Sequence, residues 1–125
     1  MFRECRRILK PGGRLVGLSI HTPKSLTSAQ EERATELGPS LVSGCGSPQE
    51  LIGAAGFSQL QVTDVTGRFR QTCSAWLTAM RDLESQLRRE LGDEDFEDEL
   101  DQKESMLKGI DEGLLLRSLI IGECF

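Results

Sequence analysis

The stretch Ile8-Leu9-Lys10-Pro11-Gly12-Gly13-Arg14-Leu15-Val16-Gly17-Leu18-Ser19-Ile20-His21 decides how this chain reads. Before it, Phe2, Cys5, Ile8 and Leu9 fall on one helical stripe and Arg3, Arg6 and Arg7 fall off it. Lys10 places a cation at the negative end of that helix. Pro11 cannot continue it, and Gly12 or Gly13 can take the left-handed turn that ends it. Leu15, Val16, Leu18 and Ile20 then make a strand apolar on both faces. Such a strand belongs inside a parallel sheet covered by helices. The order is helix, tight turn, buried strand: one αβ unit of a layered α/β domain.

An interior strand needs neighbours on both edges, and the rest of the chain offers too few strands to complete a doubly wound sheet. The chain therefore reads as the C-terminal half of a larger domain. Its 125 residues give room for one modest unit. The net charge of −5 gives no electrostatic pull toward nucleic acid or anionic lipid, and no apolar run is long enough to span a bilayer. No apolar segment follows the first basic residues, so no signal peptide is expected. Cys5, Cys45, Cys73 and Cys124 are widely spaced beside a single histidine, which argues against a metal site and fits the reducing cytoplasm.

Residues 22–46 read as a mainly loop segment. It carries a short polar helix over Ala29–Leu37 and Cys45 between two glycines; a reactive thiol there is the alternative to an ordinary loop cysteine. Residues 47–66 read as a helix and a strand. Ser47-Pro48-Gln49-Glu50 is a capping box with proline at the first helical position, Gly56 ends the helix, and Gln59–Thr66 is β-rich. Thr66–Thr72 reads as a basic, turn-containing link. From Cys73 the period becomes helical: Cys73, Trp76, Leu77, Met80, Leu83, Leu87 and Leu91 form one face, with a stop at Gly92. An acidic second helix over residues 93–104 reads as a solvated face, Gly109 and Gly113 break the pattern, and residues 114–125 read as a last strand.

Arg7-Ile8-Leu9-Lys10-Pro11-Gly12-Gly13-Arg14-Leu15 resembles the R-x-L-K-P-G-G-x-L segment of class I S-adenosylmethionine-dependent methyltransferases, where it leads into the fifth sheet strand. Residues 47–66, with Ala55-Gly56-Phe57 before the strand, resemble the family's penultimate helix and sixth strand, and residues 114–125 its final antiparallel strand. The resemblance implies the C-terminal half of a Rossmann-like sheet with a helical insertion, residues 73–108, before the last strand. It implies methyl transfer to a small-molecule acceptor, of the ubiquinone or menaquinone type, with S-adenosylmethionine held by the complete parent domain. The family's glycine-rich cofactor loop and acidic ribose ligand have no counterpart here, so no residue is assigned to cofactor binding, metal binding or catalysis, and the chain alone is expected to be inactive.

Ligands of open α/β sheets bind beyond the carboxyl ends of the strands. That edge carries His21 and Thr22, and the insertion would rise from it as a lid whose face, with Trp76 and Met80, either covers a pocket or packs on the sheet. Arg68 and Arg70 could bind an anionic group. His21, Thr22, Arg68, Trp76 and Met80 are thus the candidate substrate residues. The alternative is a non-catalytic interaction module or inactive fragment that forms oligomers through its exposed sheet edge.

Overall fold

The computed structural model describes residues 1–39 and 47–124. Helix α1 (Phe2–Ile8) leads into β1 (Arg14–His21), followed by α2 (Ser28–Leu37) and α3 (Pro48–Ala54). Strand β2 (Ser58–Asp64) precedes α4 (Thr66–Asp82), α5 (Glu84–Leu91) and α6 (Asp93–Asp111), and β3 (Leu116–Glu123) closes the fold. The segment containing Cys45 lies outside the described residues. The three described cysteines, Cys5, Cys73 and Cys124, are free thiols.

The opening turn forms as its residues require. Gly12 has a φ of +79°, and a Cβ on Gly13 would come 2.8 Å from the Lys10 carbonyl oxygen. The second helix start is also as read: the Ser47 hydroxyl accepts from the Glu50 N–H, and the Glu50 carboxylate accepts from the Ser47 N–H. A like box of Thr27 and Gln30 starts α2.

The three strands lie in the order β1-β3-β2, with β3 antiparallel to both neighbours. β1 and β2 therefore run parallel to each other without touching. The expected parallel neighbour of β1 is not among these three strands. β1 lies at the margin, and among the described residues its other edge has no partner strand. Its apolar character on both faces has a visible consequence. Leu15 packs beneath α1 and α3 with Ile52, Phe57, Ile120 and Cys124, whereas Val16 and Leu18, on the other face, are 62% and 61% exposed. That second face is covered only toward His21, where Ile20 meets Phe69, Cys73, Met106, Ile110 and Leu115.

Three helical boundaries depart from the sequence reading. Thr66–Thr72 is not a link but the first turns of α4. Its start is fixed by one contact remote in sequence, the Val65 N–H donating to the Arg117 carbonyl, by a local one, the Asp64 carboxylate accepting from the Thr66 N–H and hydroxyl, and by the burial of Phe69. The helix from Cys73 does not run unbroken to Gly92 but bends at Leu83. The i to i−4 ladder passes through the bend, from Leu83 to Ala79 and from Leu87 to Leu83. Gly109 does not break α6; it lies inside the helix, buried, because Leu115 packs where its side chain would be. The helical insertion thus comprises three helices over residues 66–111 instead of two over 73–108.

Bidentate pairs of Arg33 with Glu112 and Arg70 with Asp111, and the pair Arg81–Glu104, tie α2 and α4 to α6. Exposed pairs of this kind contribute about 0–1 kcal/mol each and mainly fix register. The packing at Gly109 is the tighter constraint. A Cβ there would come 2.6 Å from Leu115 Cδ1 and 2.9 Å from its Cγ, and Leu115 is fully buried. Gly109→Val should therefore destabilise the chain by about 2 kcal/mol, overpacking outweighing the gain in helix propensity. Urea denaturation checks this, and unchanged stability would contradict the packing.

Candidate functional site

The carboxyl ends of β1 and β2 and the start of β3 share one edge. His21 lies opposite Leu116, and Asp64 opposite Ser118. α4 leaves from this edge and α6 returns to it. The sheet divides the edge into two recesses.

On the face covered by α1 and α3, a cleft of about 430 Å³ is bordered by His21, Thr22, Lys24, Ser47, Glu50 and Leu116. His21 Nε2 is 2.9 Å from the Ser118 hydroxyl and Nδ1 is 3.3 Å from the Thr22 carbonyl oxygen. That carbonyl can only accept, so Nδ1 carries the proton and Nε2 accepts from Ser118. Both ring nitrogens are engaged, and Ser118 is buried. His21 is tied into the strand end through both ring nitrogens. The carboxyl of Glu50 is held below its ordinary range, first by the Ser47 N–H and then by Lys24. Asp64 is lowered mainly by its hydrogen bonds from Thr66.

On the opposite face, a cavity of about 380 Å³ lies between the end of α2, α4, α6 and the sheet. Ile20, Phe69, Trp76 and Met106 give it apolar walls, and Lys103 and Arg117 border it. The Lys103 ammonium lies 4.7 Å from the centre of the Trp76 ring, and the Arg117 guanidinium 4.8 Å from that of Phe69. Arg117 Nε is buried and has no hydrogen-bond partner among the described residues. Leaving such a group unsatisfied costs about 1–3 kcal/mol or more. Burial pushes the neighbouring Cys73 thiol up, so it stays neutral.

The five candidate residues do not converge on one site. His21 and Thr22 border the first cleft; Trp76 borders the second cavity and is still 49% exposed. Met80 lies with Trp76, Leu83 and Leu87 on a shallow outer groove of the insertion, and Arg68 borders none of these recesses. Arg70 is occupied by Asp111. Arg117 escaped the sequence reading, although it is the only charge between Leu114 and Gly122.

The Gly12 N–H and the Gly13 carbonyl are already bonded to Cys124, at the end of β1 away from this edge. No cluster of metal-ligating side chains occurs among the described residues, and no helix among them is long and apolar enough to cross a membrane.

In fold the chain matches part of several solved methyltransferase structures. The chain superposes on phosphoethanolamine N-methyltransferase 2 of Haemonchus contortus, solved with phosphomonomethylethanolamine and S-adenosylhomocysteine, at a TM-score of 0.79 and 15% identity. That match covers 98% of this chain and 29% of the enzyme. A second structure of that enzyme, with S-adenosyl-L-methionine, gives 0.78. A Galdieria sulphuraria protein provisionally assigned as a sarcosine dimethylglycine methyltransferase gives 0.81 at 16% identity, over 98% of this chain and 45% of that one. The chain thus spans less than half the length of these proteins. No protein-family model matches the sequence, and no curated protein matches it significantly.

The first cleft yields a pH prediction. Because the folded pKa of Glu50 is lowered, its contribution to stability is complete above the unfolded value and lost as the pH falls through the folded one. Glu50→Gln keeps a side chain able to accept from Ser47 but removes the charge. The wild type should melt higher than the variant at about pH 7, and the gap should close by about pH 3. An equal gap at both pH values would contradict the assignment.

Proposed function

We propose that this chain is the C-terminal, substrate-side part of a class I methyltransferase that transfers the methyl group of S-adenosylmethionine to a small-molecule acceptor. The observation that carries the reading is the sheet: an antiparallel strand between two mutually parallel ones, with the outer edge of β1 unpaired among the described residues. Paired with the likeness in fold to methyltransferases more than twice its length, that edge is where the parent sheet would continue. The exposed Val16 and Leu18 would be covered by the same missing elements. Leaving them in water forgoes about 1–2 kcal/mol each.

Bound cofactor supplies an electrophilic methyl group; what this chain supplies is placement. The insertion α4–α6 forms walls of the cavity near the carboxyl edge, and orientation of the acceptor is the main aid that such a displacement needs. The ubiquinone- or menaquinone-type subtype rests on the presence of that helical insertion alone. A second reading, a non-catalytic module that associates through the same open edge and face, is favoured by the exposure of Val16 and Leu18.

Titration calorimetry separates the two readings. The isolated chain should not bind S-adenosylmethionine at micromolar concentration. The chain extended by its upstream coding sequence should bind it, and that sequence should carry a glycine-rich loop after a strand. Micromolar binding by the isolated chain, or none by the extended one, would contradict the proposal. Stable self-association of the isolated chain in light scattering would favour the interaction module.

A further inference from the structure

We propose that the cavity between α2, α4, α6 and the sheet binds the carboxylate of a small, partly apolar molecule through Arg117. The inference deepens the methyl-transfer reading only in making that molecule the acceptor; the binding step itself does not require it.

Arg117 sits on the central strand opposite Ile20, with its Nε buried and, among the described residues, unpartnered. A guanidinium stays charged at any accessible pH, so it cannot relieve its burial by losing a proton. Arg33, Arg70, Arg81 and Arg88 each hold a carboxylate of this chain; Arg117 is in no ion pair among the described residues. Its ring contact with Phe69 engages the guanidinium carbon and gives the Nε–H edge no acceptor. A carboxylate meets that edge with two parallel hydrogen bonds.

The cavity has the other properties of a ligand site. Its volume is in the range that admits a small molecule, and Phe69, Trp76 and Met106 offer an apolar body a place to rest. Cys73 is neutral and supplies no anion of its own. Glu36 and Asp101 also border the cavity, without pairing to Arg117. With Lys103 and Arg117 set against them the charges of the lining balance, so no excess positive charge is left for a second ligand carboxylate.

Trp76 is the only tryptophan, so its fluorescence reports on this cavity directly. Benzoate should change that fluorescence saturably, and benzyl alcohol, which has the ring without the charge, should bind at least about tenfold more weakly. Arg117→Gln should weaken benzoate binding about tenfold or more. Equal binding of benzoate and benzyl alcohol, or undiminished binding by a folded Arg117→Gln chain, would overturn the site. If that variant does not fold, the Arg117 Nε–H resonance of the unmodified chain decides. A saturable shift with benzoate supports the site, and a stationary peak overturns it. Failure of the extended chain to bind S-adenosylmethionine would remove the methyl-transfer reading and leave these titrations standing. A stationary Nε–H peak would do the reverse.

Discussion

Everything in this structure hangs on β3. It is the last strand in sequence and the middle one in space, and it pairs with β1 over Arg14–His21, about a hundred residues earlier. Without it, β1 and β2 have no backbone partners, because they do not touch each other. The ladder is locked at its far end by the opening turn: Gly12 N–H donates to the Cys124 carbonyl at 2.5 Å, and Cys124 N–H donates to the Gly13 carbonyl at 2.8 Å. The turn at Lys10–Gly13, between α1 and β1, therefore also anchors the end of β3. The buried Ile120 and Cys124 carry the ladder into the core beneath α1 and α3.

The same arrangement sets the asymmetry of the two faces. Beneath α1 and α3 the sheet is well covered. On the other face the helices of the insertion cover only the carboxyl edge, and Val16 and Leu18 are left in water. A small unit has little stability to spare, so two exposed core-type side chains and an open edge are a large cost for a free-standing fold. They are ordinary features of a sheet that continues beyond these strands. At the covered edge, geometry separates structural from ligand-facing groups. His21 has both nitrogens engaged and Arg70 has its carboxylate, whereas Arg117 has neither among the described residues.

Much of the fold was legible because its signals are local. The Ser47–Glu50 box and the stop at Gly92 act through neighbours in sequence and form as read, and Gly12 takes the left-handed turn, although α1 already ends at an extended Leu9 before it. The failures share a cause: the deciding partner is distant. Thr66–Thr72 is helical because Val65 bonds to Arg117 across 52 residues and Phe69 finds a core built by α6. Gly109 reads as a breaker, but it is an accommodation to Leu115. The candidate site was legible only as an edge. His21, Thr22 and Trp76 border its recesses, but the sheet separates them. Arg117 gave one faint signal, a charge in an apolar strand, whose meaning depends on burial that sequence does not display.

The central claim is that the outer edge of β1 belongs to a larger sheet. Hydrogen exchange of residues 14–21 tests it most directly, compared between this chain alone and the chain extended by its upstream coding sequence. The account predicts that those amides pointing away from β3 exchange rapidly in the chain alone and become strongly protected in the extended one. Protection already complete in the chain alone, or exchange unchanged by the extension, would contradict it.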